Sequence, residues 1–115
     1  MRNIICIVMF VILNLFQLIS FGQNKKCDSL ISLIQKDKED TNKINHLKEL
    51  GWELKYINPD TVILIGNQSL QLAKKINWKK GIAISLGNLG LYNHIKLNYP
   101  NALGYYLKAT VRSRS

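Results

Sequence analysis

The chain has 115 residues, with 16 Lys or Arg against 7 Asp or Glu, which gives a formal net charge of +9 at pH 7. This length leaves room for one domain at most. The two cysteines exclude a disulfide framework, because Cys6 lies in an apolar leader and only Cys27 follows it. The sequence contains no glycine-rich phosphate loop, metal-spaced Cys/His cluster or nucleophile elbow. We therefore expect a protein without enzymatic activity, with no catalytic residue, cofactor or metal.

The first predicted element is an apolar leader at residues 1–22. A short basic start precedes an almost wholly apolar run at 4–19, and Ser20 and Gly22 place small residues where a signal peptidase cleaves. This pattern predicts a signal peptide and export to the periplasm or elsewhere outside the cytoplasmic membrane. The alternative is an uncleaved membrane anchor, because the run 4–21 approaches the roughly 20 residues of a membrane span.

A short helix and a polar linker occupy residues 23–42. The helix is predicted at residues 28–35, with an apolar side formed by Leu30, Ile31, Leu33 and Ile34. Residues 36–42 are polar throughout, which predicts a linker. Thr41 or Asn42 is the expected cap of the next helix.

Four longer helices follow, and their bounds come from apolar spacing and from turn residues. In the first of them, apolar or small residues recur at spacings of three and four, the period of an α-helix, at Ile44, Leu47, Gly51 and Leu54. Pro59 separates the first from the second, because proline disfavours helical geometry in the residue before it. The predicted helices are 42–56, 60–77, 82–95 and 99–112, with turns at 78–81 and 96–98. The fold class predicted is all-α, built from antiparallel helical hairpins.

An internal repeat relates the first two long helices to the last two, and it divides the region into hairpins at 43–81 and 82–115. Leu50 and Gly51 recur 39 residues later, and three further pairs recur at a spacing of 40: Val62 with Ala102, Gly66 with Tyr106, and Ser69 with Ala109. Close packing sets large side chains against small ones. We therefore expect the aromatic side chains of the second hairpin to fill gaps left by its small residues: Tyr99 and Tyr106 against Gly90, Ala102 and Ala109.

The second hairpin resembles the tetratricopeptide repeat (TPR) family. Its matching positions are the Leu-Gly pair, the aromatic at the hairpin turn, the central alanine, the second-helix aromatic and the late alanine: Leu89, Gly90, Tyr99, Ala102, Tyr106 and Ala109. Leu97 replaces the usual turn glycine, and Asn93, beside Tyr92, replaces a common aromatic. The first hairpin is degenerate. The period near 40 is similar to long TPR variants in the N-terminal region of bacterial sensory proteins, and the resemblance implies a short right-handed superhelix, an α-solenoid.

The resemblance also implies a function, the binding of a protein or peptide partner by a non-enzymatic scaffold module. Such stacks bind with the concave face of their first helices. The residues expected on that face are Asn45, Glu49, Trp52, Tyr56, Ile84, Asn88, Leu91 and Ile95. An asparagine at the place of Asn88 can bond a peptide backbone in TPR domains. A competing interpretation packs Trp52 on the helix at 28–35, as a cap of the repeats.

Two alternatives remain open. A leader followed by long-period repeats resembles the N-terminal sensory region of a membrane histidine kinase or similar signalling protein, whose catalytic domain would be absent here. Residues 61–115 carry eight Lys or Arg and no acid. The second alternative is therefore docking on an anionic membrane surface, and the interpretation that competes with it is a solvated basic surface. We do not expect a nucleic acid partner. Because no capping helix follows residue 112, we expect self-association or further repeats in a longer chain.

Overall fold

The computed structural model describes residues 3–11 and 25–114, and within these residues every regular element is an α-helix. Helix α1 covers residues 3–11. Five helices follow it: α2 (Lys25–Lys36), α3 (Thr41–Leu54), α4 (Pro59–Lys75), α5 (Lys79–Ile95) and α6 (Tyr99–Arg114). The predicted all-α fold class is confirmed, with no strand in the described ranges.

Helix α1 belongs to the predicted leader, and its apolar side chains from Ile4 to Val11 are exposed. The predicted cleavage site around Ser20 and Gly22 lies outside the described residues, as does the rest of the apolar run. Among the residues that are described, no helix combines the length and apolarity needed to cross a membrane.

Asp40 and Asn58 fix where the first two long helices begin. The carboxylate of Asp40 accepts hydrogen bonds from the backbone N–H groups of Asn42 at 3.0 Å and Lys43 at 3.3 Å. The side chain of Asn58 accepts from the N–H of Thr61 at 3.3 Å. Such acceptors satisfy donors that have no partner within the helix. The prediction of Thr41 or Asn42 as the cap is therefore wrong. The linker is shorter than predicted because α2 includes Lys36 and α3 begins at Thr41.

Helix α5 begins three residues earlier than predicted. It starts at Lys79, so the turn expected at 78–81 ends at Trp78, which makes no side-chain cap hydrogen bond. A Cβ at Gly81 would overlap the Trp78 ring. Gly81 is therefore a helical residue over which the indole folds, rather than a turn residue.

The turns that follow α4 and α5 share one geometry. The N–H of Trp78 donates to the carbonyl of Ala73 at 2.9 Å, and the N–H of Asn98 donates to the carbonyl of Asn93 at 2.9 Å. In each turn the preceding residue is left-handed, with φ of 56° at Asn77 and 63° at Leu97. These bonds are the C-terminal pattern in which a left-handed residue ends a helix.

Consecutive helices pack against each other in antiparallel order from α2 to α6, and α3 also contacts α5. Ion pairs join the end of one helix to the start of its neighbour: Lys75 of α4 pairs with Glu39 before α3, and Lys96 after α5 pairs with Asp60 of α4. Between α4 and α5 the buried hydroxyls of Ser69 and Ser85 are 2.8 Å apart and hydrogen-bonded. These contacts are those of adjacent helical hairpins.

Tyr92 is the aromatic at the centre of the packing, with 1% of its surface exposed. A Cβ at Gly51 would overlap its hydroxyl, and a Cβ at Gly66 would come within 3.4 Å of its ring. At Gly90 the expected pairing with Tyr106 is confirmed, since a Cβ there would lie 2.7 Å from that ring. The sequence pattern alone had pointed to Tyr92 only as the residue beside Asn93, which stands where the TPR pattern commonly has an aromatic.

Two predicted packing roles are wrong. Tyr99 is 55% exposed and contacts His94 edge to face rather than filling an interior gap, because it is the first residue of α6 and lies at the end of the helix pair. In α2, Ile31 and Leu33 are exposed, whereas Cys27 and Leu30 are buried. The helix begins three residues earlier than predicted. Its buried side follows Cys27, Leu30 and the half-buried Ile34, so Ile31 and Leu33 lie at the edges of that side.

Candidate functional site

The eight residues expected on a binding face lie on or just after α3 and α5, which contact each other. None of them is fully buried: Glu49, Trp52 and Tyr56 are exposed, and the other five are half-buried, namely Asn45, Ile84, Asn88, Leu91 and Ile95. We call this surface the α3–α5 face. Its most accessible part belongs to α3.

A cavity of about 310 Å³ opens on the α3–α5 face beside Trp52. Of the eight predicted residues it brings together three, Glu49, Trp52 and Asn88; it adds three that sequence reasoning missed, Lys26, Lys48 and Glu53. Lys48 and Glu53 flank the predicted residues along α3, so their helical spacing was a usable signal. Lys26 comes from α2, and only the packing of α2 on α3 places it there.

Both signs of charge line this Trp52 cavity. The ammonium of Lys26 donates to Glu53 Oε1 at 2.9 Å. This hydrogen bond, together with the negative charge of Glu53 and a smaller effect of Glu49, raises the pKa of Lys26. Lys48 adds a second cation and Glu49 a second carboxylate. The charged side chains of the cavity can therefore form hydrogen bonds with both the N–H and the C=O groups of a peptide backbone. The indole of Trp52 supplies an apolar contact surface beside them.

Trp52 is held by its own helix rather than by α2. It is 55% exposed, and the Lys55 ammonium lies 3.4 Å from the centre of its ring and 5.0 Å from that of Tyr56. The same ammonium donates to the Trp52 carbonyl at 3.1 Å. A cation over an aromatic face is attracted by the ring quadrupole. The interpretation in which α2 covers Trp52 is wrong, because α2 packs instead on Leu50, with Leu54 and Ile65 beside it.

Glu53 and His46, both on α3, are engaged with side chains outside that helix. Glu53, four residues after Glu49, accepts a hydrogen bond from Lys26. Nδ1 of His46 lies 2.5 Å from Asp37 Oδ2, an arrangement that fastens α3 to the linker. In the part of the chain that the structure describes, no group of three or more His, Cys, Asp or Glu side chains is placed to hold a metal ion.

Comparison of the chain with models of protein families, with curated proteins and with solved structures finds no match. The resemblance to the TPR family therefore rests on the residues of this sequence alone.

Proposed function

We propose that the chain is a non-enzymatic scaffold module that binds a protein or an extended peptide on the α3–α5 face, at the Trp52 cavity. The observation that carries the proposal is the exposed indole of Trp52 beside Asn88, in a cavity walled by charges of both signs. Aromatic side chains that are rigid and accessible are preferred anchors of protein interfaces. The amide of Asn88 can donate and accept at once, as a peptide backbone requires.

We further propose that the two hairpins, α3 with α4 and α5 with α6, form a short right-handed superhelix of the TPR kind. The period near 40 in the sequence and the contact between α3 and α5 support this arrangement. Export by the leader is likewise proposed. Its support is the basic start and apolar run at 1–22, and sequencing the N-terminus of the mature protein tests it.

The binding proposal is tested with a random peptide-display library panned against the full chain. We expect enriched peptides that bind the wild type and lose about tenfold affinity with either Trp52→Ala or Asn88→Ala, since truncating an interface anchor costs more than about 1 kcal/mol. Affinities are measured by fluorescence anisotropy of labelled peptides.

Matched control variants are available elsewhere on the surface. Tyr99 is also 55% exposed, so Tyr99→Ala removes a comparable aromatic area from α6. Asn67, half-buried on α4, is the counterpart of Asn88. Enriched peptides that bind the Trp52 and Asn88 variants as tightly as the control variants, or a library that yields no enrichment, would contradict the proposal.

A further inference from the structure

A second surface lies where α4 and α6 both pack on α5 without contacting each other. The gap between them is a groove of about 590 Å³. Its floor and walls are apolar, and its edges carry three cations; the lining residues are Leu70, Lys74, Ile82, Leu86, Tyr105, Leu107, Lys108, Val111 and Arg112. We call it the α4–α6 groove. It shares no residue with the α3–α5 face.

The apolar surface continues from the groove along α6. Leu103, Leu107 and Val111 are 60%, 58% and 67% exposed. They are spaced four residues apart, so they form one strip about 12 Å long on the same side of the helix. Single exposed apolar residues are ordinary, but a contiguous strip beside an apolar groove marks an interaction surface. An elongated strip suits a helix laid along it.

The charge of the groove is of one sign. Lys74 and Lys108 line it, no carboxylate does, and the sequence has no acid after Asp60. At two other places in the fold, a lysine near the end of a helix pairs with an acid near the start of its neighbour. At the third such place, where α6 ends beside the start of α5, the first turn of α5 contains no acid and begins with Lys79 and Lys80.

We propose that the α4–α6 groove binds an acidic amphipathic helix of another protein. The apolar side of that helix covers Leu107 and Val111, and its flanking carboxylates pair with Lys74 and Lys108. Complementary charge of this kind favours the encounter and rejects like-charged partners. A second copy packed α6 against α6 would bring cations together. A bilayer surface does not reach the groove floor, where Ile82 and Leu86 are buried.

The test uses a fluorescein-labelled synthetic helix of about 18 residues, five turns long, with leucines at helical spacing and glutamates elsewhere. A matched peptide has lysine for every glutamate. We expect the full chain to bind the glutamate peptide at least about tenfold more tightly than the lysine peptide. Lys74→Glu with Lys108→Glu should weaken that binding about tenfold. Lys36→Glu with Lys38→Glu, which makes the same change in net charge outside the groove, should leave it unchanged.

The apolar contribution is tested with Leu107→Gln against Leu64→Gln, a substitution at a leucine of α4 that lies outside the groove and is 70% exposed, against 58% for Leu107. Only Leu107→Gln should weaken binding, and far-ultraviolet circular dichroism checks that every variant folds. The proposal is overturned by any one of three binding results: no binding of the glutamate peptide, equal binding of both peptides, or equal effects of the groove and control variants.

Two further measurements identify other occupants. If phosphatidylglycerol vesicles bind the chain through Lys74 and Lys108 while the glutamate peptide does not bind, the groove serves an anionic membrane and the proposal fails. If sedimentation velocity shows a dimer that Leu107→Gln abolishes, the groove holds a second copy, and the proposal fails equally.

Discussion

At the scale of single residues, the fit of Tyr92 decides how closely three helices approach. Its ring lies over Gly51 of α3 and Gly66 of α4, and no other side chain of its volume is so fully buried among the described residues. A glycine in a helix costs about 1 kcal/mol relative to alanine. Gly51 is compensated because the aromatic ring takes the space that a methyl group would fill. At Gly66 the Leu89 side chain takes most of that space, with Cδ2 2.7 Å from an added Cβ, and the Tyr92 ring borders it.

Substitution by alanine should therefore change the stability of the fold in opposite directions at two helical glycines that look alike in the sequence. Gly51→Ala places a methyl group against the Tyr92 hydroxyl, and we expect the free energy of unfolding to fall by up to about 2 kcal/mol, the cost of overpacking less the gain in helix propensity. Gly87, within α5, has nothing within 4 Å of its added Cβ, so Gly87→Ala should raise stability by up to about 1 kcal/mol. Urea unfolding followed by circular dichroism measures both, and a stabilising Gly51→Ala would refute the packing described.

Burial also raises the pKa of Tyr92 from 10.0 to about 12. The folded state then holds the phenol proton more tightly than the unfolded state. The resulting stability is complete below pH 10 and is lost as pH rises from about 10 to about 12, by about 2–3 kcal/mol. We expect this loss to be absent from Tyr92→Phe, while lysine titration affects both proteins alike. Unfolding curves across this pH range provide the comparison, and parallel curves would show that Tyr92 is not so buried.

At the scale of elements, the helix ends show how one turn geometry accepts different residues. Asn77 and Leu97 both adopt left-handed φ after α4 and α5. Asparagine visits this region readily, whereas a branched apolar residue does so at a cost. The residue pattern places Leu97 where the TPR family usually has a glycine. The left-handed φ of Leu97 gives a physical reason why glycine suits that position.

Replacing Leu97 should consequently stabilise the protein. Leu97 is 70% exposed, so Leu97→Gly loses little packing and relieves about 1 kcal/mol of backbone strain, part of which the greater freedom of unfolded glycine offsets. Leu97→Asn avoids most of that offset, and we expect both variants to melt at a higher temperature than the wild type. Asn77→Leu is the reciprocal variant and should melt lower. Lower melting of Leu97→Gly and Leu97→Asn would contradict the assignment.

At the scale of the whole molecule, charge is distributed unevenly between the two ends of the helix stack. All seven acids lie between Asp28 and Asp60, and residues 61–115 carry cations only. Four acids, Asp37, Glu39, Glu53 and Asp60, are already engaged with His46 or a lysine. The basic half is therefore left with net self-repulsion, which opposes the compact state.

Added salt should on that account stabilise the fold. Salt screens exposed charges at separations beyond the Debye length, which falls to about 3 Å at 1 M, and exposed ion pairs contribute little that could be lost. We expect the melting temperature to rise by about 4 °C, the effect of about 1 kcal/mol, between low and high NaCl. The rise should shrink in Lys79→Glu with Lys80→Glu. A melting temperature that falls with salt would mean that the ion pairs outweigh the repulsion.

The sequence by itself determined the helices and the all-α class, because apolar spacing, prolines and turn residues act within a few positions of the chain. It also indicated the face on which Trp52 and Asn88 lie. Tertiary structure alone decided that Tyr92 rather than Tyr99 fills the interior and that Lys26 joins the Trp52 cavity. It also decided that α4 and α6 leave a groove between them. The physical reason is that the spacing of apolar residues reveals which side of a helix is apolar, whereas the burial of a given side chain depends on the neighbouring helix that packs against it.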